Sequence, residues 1–436
     1  MKQLLAPAML ALAALPLVAA APPPLVPDPT ELRATVAALV GFGTRHTLST
    51  TTDPKRGIGA ARRWGAARFA AIGKACGDCL AIETVADRFT GPRAPDGVEV
   101  ADVIAVQRGS GDPNHVLIVQ AHIDSRVTDV MDATSDAPGA NDDGSGVALV
   151  IEAARLLSRE RFAGTIVYAL LSGEEQGLWG GKLLADTARR RGWQVAAVLN
   201  NDIVGNTHGQ GGDHVDGRVR VFSEGIRAAD TPEQTVGRRA TGGEDDGPSR
   251  ALAKRIAAIA AATPGLEVVA VGRPDRFGRG GDQTPFLEAG YPAVRFSEAV
   301  ENYDRQHQDL RTEGGTRYGD TIDGVDFPYL ARVTALNVAV LRQLAAAPPA
   351  PAEATIAGAV SADTVVAWTP VAGAASYCVH IRRADRRTWE ERRCQADAGR
   401  VVLKNVNIDD HFFGVSALSA AGAESLVTFA GAAPRK

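Results

Sequence analysis

Apolar and polar positions alternate in one way over most of the chain and in another near its end. From about residue 30 to 344, short continuous apolar runs take turns with stretches of helical spacing. "HVLIVQAH", "GTIVYALLS", "VAAVLNND" and "YPAVRFSE" are the runs, and they read as strands covered on both faces. Helical spacing begins at Ser145, Gly181 and Pro248, and again over Tyr329 to Leu344; Val147, Ala148, Ile151, Ala154 and Leu157 illustrate it. This pattern predicts an α/β domain over 22–344, a three-layer sandwich with a mostly parallel central sheet. "AAAPPAPAE" then carries no periodicity and reads as a Pro/Ala linker over 345–353. Beyond it, "TVVAWTPV", "ASYCVHIRR", "GRVVLKNV" and "HFFGVSALSAAGAESLVTF" predict the short strands of a small all-β sandwich over 354–433.

The first residues follow neither pattern. "MKQLLAPAMLALAALPLVAAAPPP" joins Lys2 to an apolar stretch and ends in small residues near Ala19 to Ala21. It reads as a signal peptide over 1–21, too short and too proline-interrupted for a membrane anchor. The mature protein is therefore expected to be secreted or periplasmic, with no membrane span. Export gives the four cysteines a meaning: Cys76 with Cys79, and Cys378 with Cys394, are candidate disulfides. "CGDC" lacks the second ligand pair of a metal site and a nearby βαβ pattern of a redox motif, which favours a structural bridge. Acidic residues number 51 and basic residues 47, a balance that gives no support for a nucleic-acid partner.

The chemistry sits where the predicted strands end. "HVLIVQAHID" ends in His122 and Asp124, "TIVYALLSGEEQG" in Glu174 and Glu175, "VAAVLNNDIVG" in Asp202. Polar residues must finish any strand, but open α/β sheets bind ligands at this carboxyl edge. Gathered there without partners, such charges would repel and be costly to bury, and divalent cations remove that cost. "PGANDDGSG" adds two adjacent acids just before a helix, where one would suffice as a cap. Asp142 is the candidate to bridge two metals, and Asp143 to fix the turn or hydrogen-bond nearby. Ser145 would begin the helix, with Gly144 and Gly146 allowing close backbone approach.

"HID", "NDDGSG", "SGEEQGLWGG", "NND" and a late histidine in "ENYDRQHQDL" resemble the co-catalytic zinc exopeptidases, the family of bacterial leucyl aminopeptidases and glutamate carboxypeptidase II. The resemblance covers about Thr30 to Leu344. It implies the zinc exopeptidase fold and two zinc ions per chain, with His122 and Asp202 on one, Glu175 and His307 on the other, and Asp142 between them. Asp124 would orient His122, and Glu174 would be the general base. Some family members carry Tyr immediately before the last histidine. This chain has Gln306, leaving Tyr303 and Arg305 as the nearby candidates for an oxyanion donor. Asp282, in "GRGGDQTPF", either orients groups near the metals or caps a helix begun by Pro285. Of the other histidines, His115 precedes a strand and reads as surface. His46, His208 and His214 fall in loops, and His380 and His411 in the C-terminal module. That module resembles fibronectin type III over most of Ala354 to Ala430, with Trp368 and Tyr377 on successive strands; the resemblance implies a spacer or an attachment domain, for a polymer or surface, with no chemistry of its own.

The expectation is thus a secreted metallopeptidase acting on peptide substrates, most of all an aminopeptidase. Carboxypeptidase action, or single-zinc cyclisation of N-terminal glutamine, would use the same site. A non-catalytic binding protein on this scaffold would be expected to have lost ligands, and here all five ligand positions and the base are filled. HExxH, P-loop and GxSxG motifs are absent from the sequence.

Overall fold

The computed structural model describes residues 25–262, 265–396 and 399–432. The expected signal peptide over 1–21 lies outside them. An eight-stranded sheet forms the centre of the larger unit. Its strands are β1 (Ala81–Gly91), β2 (Ala94–Gln107), β3 (His115–His122), β4 (Thr165–Leu171), β5 (Gln194–Asn201), β6 (Arg218–Phe222), β7 (Glu267–Val271) and β8 (Ala293–Glu298), in the order β1-β2-β4-β3-β5-β8-β6-β7. The four central strands β4-β3-β5-β8 run parallel. The β1–β2, β2–β4 and β6–β8 pairs are antiparallel. β6–β7, at the far margin, is parallel again. The sheet is therefore mixed, with four of its seven strand pairs parallel, in keeping with the mostly parallel expectation. The β1–β2 hairpin went unread in the sequence because β1 is largely exposed and presents no continuous apolar run.

Period-two alternation splits the strand side chains between two cores. Leu117, Val119, Ala121, Tyr168 and Leu199 join helices α1 (Pro29–Val40), α2 (Gly57–Ala75) and α3 (Gly144–Leu157) on one face. Val116, Ile118, Val167 and Val198 meet Leu184 and Ala188 of a helix on the other. The first-turn cap of α3 is Asp143, whose carboxylate accepts from Gly146 N–H. Gly146 is required here, because a Cβ would collide with the Asn201 carbonyl.

Both expected disulfides are present, Cys76–Cys79 and Cys378–Cys394. No helix among the described residues is long and apolar enough to cross a membrane. The C-terminal strands form an antiparallel group Glu391–Gln395, Ser376–Arg383, His411–Leu418 and Thr428–Ala432, and a second antiparallel group Ala354–Ala357, Thr364–Trp368 and Arg400–Leu403; parallel pairing of Ala354–Ala357 with Thr428–Ala432 joins the two into one curled seven-stranded sheet. Trp368, Tyr377 and Phe413 lie in the core between them. The segment expected as a linker is not a free tether: Pro348 and Pro351 are buried, and Pro351 O accepts from the Thr428 hydroxyl at 2.6 Å. Arg382 of the β-module is buried against the α/β unit, donating to Asp246 under the Phe412 ring.

Candidate active site

β3 ends in His122, which pairs in register with Leu171 at the end of β4, and β5 lies along the other side of β3. The carboxyl ends of three adjacent parallel strands therefore open onto one place. Just past them stand Asp124, Glu174 and Glu175, and Asp202. Gly173, at φ +78°, turns the chain sharply so that the two glutamates begin a short helical turn. His307 arrives on the loop after β8, itself in the left-handed region at φ +53°.

The Asp142 carboxylate joins the two halves. Its Oδ1 lies 3.1 Å from His122 Nε2, and its Oδ2 3.0 Å from His307 Nε2. His307 Nε2 also stands 3.0 Å from Glu175 Oε1, and His122 Nε2 is 3.9 Å from Asp202 Oδ2. Two donor groups result, His122 with Glu174 and Asp202, and Asp142 with Glu175 and His307; within each, the donor atoms lie within 4.8 Å of one another. Such oxygen and imidazole sets can hold divalent cations. All of these side chains except Glu174 and His307 are buried, and Asp142, Glu174, Glu175, Asp202 and His307 floor a cavity of about 480 Å³.

Supporting residues set each orientation. His122 Nδ1 lies 3.1 Å from the Asp124 carbonyl and 3.5 Å from its carboxylate, which leaves Nε2 directed at Asp142. Asp124 also accepts from Thr47 Oγ1 at 2.8 Å and from Glu175 N–H at 3.2 Å. Asp143, besides capping α3, accepts from His122 N–H at 3.2 Å. Adjacent acids thus divide the work: Asp142 faces the two histidines, and Asp143 holds the helix to the strand. Asp282 does not cap the helix after Pro285. It accepts from Gly181 N–H at 3.0 Å, tying its loop to the first turn of the helix Trp179–Arg190.

Burial shapes the electrostatics. It would raise the Asp142 carboxyl, but the facing imidazoles, His307 foremost, outweigh it and hold that carboxyl well below its ordinary value. For Glu174, burial wins and its carboxyl is raised well above the ordinary range. Asp282 is likewise pushed up to about 7 by burial.

Several residues of the site were not singled out in the sequence. Arg126 donates through Nε to Glu175 Oε2 at 2.8 Å and through Nη2 to His307 Nδ1 at 2.6 Å. Arg295, fully buried, stands 2.7 Å from Asp202 Oδ1 and 3.2 Å from Asp275 Oδ2. Asp320 accepts from the N–H groups of Asn141 and Asp142, and Glu298 accepts from the Asn141 amide. Arg45 ties the same loop down through the Pro138 and Gly139 carbonyls. Lone arginines and acids of this kind carry no local motif. By contrast, Tyr303 is exposed, Arg305 faces Asp323, and neither lines the cavity. His115 is buried at the start of β3, contrary to its surface reading.

Comparison with known proteins agrees with this arrangement. The sequence profile described as "Peptidase family M28" matches residues 102–325. A probable zinc metalloprotease of Leptosphaeria maculans is 43% identical over 394 residues, covering 88% of this chain and 90% of its own. Among solved structures, the LapA aminopeptidase of Legionella pneumophila superposes with a TM-score of 0.53 at 18% identity, over 73% of this chain and 72% of its own. Glutaminyl cyclase of Porphyromonas gingivalis does so with a TM-score of 0.51 at 17% identity, over 74% and 99%. At those identities the structural likeness speaks to the fold alone. The profile match and the identity along nearly the whole length together establish that the chain belongs to peptidase family M28.

Proposed function

We propose that the chain is an exported two-zinc exopeptidase that removes residues from unblocked peptide N-termini. The observation that carries this reading is the Asp142 carboxylate, which turns one oxygen to each of two histidines. The likeness to the probable zinc metalloprotease of Leptosphaeria maculans supports it, as do the two disulfides for export.

The donor set fits zinc, since each group mixes imidazole with carboxylate and the buried Glu175 Oε1 accepts no well-directed hydrogen bond. His122 and Asp202 would hold one ion, Glu175 and His307 the other, with Asp142 shared. Two bound zinc ions supply Lewis acidity towards a scissile carbonyl and lower the pKa of water. The remaining work falls to the chain. Asp124 holds the His122 ring, and Arg126 and Arg295 each occupy the outer oxygen of a ligand carboxylate. Glu174 stands on the cavity floor with a raised proton affinity, suited to accept a proton at its carboxylate and pass it to the departing amine. Within this reading 22–344 is the peptidase domain and 345–353 connects it to 354–433. The strand order of the latter supports a fibronectin type III-like module.

The test is mass spectrometry of peptides incubated with the mature protein, with and without a chelator. Free, N-acetylated and N-terminal glutamine members should be included. Stepwise loss of N-terminal residues from free peptides only, abolished by chelator, is the expected outcome. C-terminal trimming, or ammonia release from the glutamine peptide alone, would move the assignment to a different activity at this site.

A further inference from the structure

The walls of the cavity differ from its floor. Four of its lining residues are arginines: Arg93, Arg126, Arg276 and Arg279. The lining offers just two sizeable apolar side chains, Pro92 and Leu178. Two of them are already engaged: Arg126 by Glu175 and His307, and Arg276 by Asp275 at 3.0 Å as well as Glu301. Glu301, whose side chain is only 4% exposed, is shared by Arg220 on Oε1 at 2.6 Å and by Arg276 and Arg279 on Oε2 at 3.2 and 2.9 Å. Arg93 donates through Nη1 to the Glu175 carbonyl at 2.6 Å. Arg279 likewise makes both its contacts, to Glu301 and to Gln306 Oε1, through Nη1. Among the described residues, Nε and Nη2 of Arg93 and of Arg279 have no partner.

We propose that the arginine wall, chiefly Arg93 and Arg279, selects substrates carrying a carboxylate beside the scissile bond. The proposal rests on the peptidase reading above. A free guanidinium edge matches a carboxylate in a planar, two-point fashion that neither an amide nor an ammonium reproduces. An aliphatic side chain in the same space would cover the charges without giving them a partner, which is costly. The floor acids do not supply that partner, because the zinc ions of the proposed function would take them up. The carboxylate has two sources, an acidic side chain or a free peptide C-terminus.

The experiment compares kcat/KM of the zinc-loaded full chain on peptides with Glu, Gln, Leu or Lys on either side of the scissile bond. Each peptide carries a free or an amidated C-terminus. A preference of about tenfold or more for Glu over isosteric Gln is expected at one position, falling towards one in Arg93→Gln or Arg279→Gln. If amidation instead removes the preference, the terminal carboxylate is the source. Cleavage with Leu or Lys equal to Glu everywhere, and no effect of amidation, overturns the arginine wall while the peptidase reading stands. If no peptide is cleaved, the peptidase reading fails, and calorimetry with glutarate and its monoamide judges the wall by itself. Tighter glutarate binding that weakens in both variants supports it, and equal binding of the two probes overturns it.

Discussion

Asp142 Oδ2 and His307 Nε2 meet at 3.0 Å, although 165 residues separate them in the chain and they belong to different loops. His122 sits on the other oxygen of the same carboxylate at 3.1 Å. Asp142→Asn removes the charge at this shared point. Zinc content measured by plasma mass spectrometry is expected to fall to one ion per chain or fewer. The loss in metal affinity should exceed the ~10–100-fold typical of an outer-shell partner. Retention of both ions and full rate would show that the carboxylate is not shared.

Glu174 lines the cavity with its carboxyl raised by burial. Glu174→Gln keeps the shape and removes the proton acceptor. Turnover is expected to drop by ~10²–10⁴-fold with the zinc content unchanged. A zinc-loaded variant working at near-normal speed would exclude Glu174 as the base.

Glu298, behind the Asn141 loop, is pushed up to about 8 from its ordinary 4.5 by burial, against the donors Asn141 and Asn206. Between those values the folded state holds a proton that the unfolded chain releases. Its contribution to stability is therefore complete below about 4.5 and falls as the pH rises towards about 8. Glu298→Gln cannot ionise. Its melting temperature relative to the unmodified protein should rise across that window, in thermal unfolding at either end. A constant offset would place the pH dependence elsewhere.

Arg382 and Asp246 join the β-module to the α/β unit through a buried ion pair, with 2% and 3% of the side chains exposed. Arg382→Met leaves Asp246 with Lys254, whose Nζ lies 2.6 Å from Oδ1. The expected cost is towards the lower end of the ~3–5 kcal/mol for breaking a buried pair. Hydrogen exchange should quicken around Asp246 and in the strand holding Arg382. Unchanged exchange and stability would mean that the two units do not depend on this contact.

Much of the site was legible in the chain. His122, Glu174, Glu175 and Asp202 directly follow apolar runs, so identifying the strands also located the acids at their carboxyl ends. Asp142 and Asp143 announced themselves as one acid more than a helix cap needs. His307 was weaker, a loop histidine carried by family order, and a lone position could not say which carboxylates it would meet. The hairpin strand Ala81–Gly91 left no trace, because an exposed margin strand has no continuous apolar stretch.

The sequence by itself determined which segments could be buried strands or helices, and that ionisable groups would finish the strands. Those are local properties, set by side-chain hydrophobicity and backbone preference within a few residues. Tertiary structure alone decided that Arg126 would serve Glu175 and His307, that Arg295 would hold Asp202, and that His115, Pro348 and Pro351 would be buried. Such pairings depend on sheet order and loop course. Charges become partners only when the fold brings them within a few ångströms and removes the water between them.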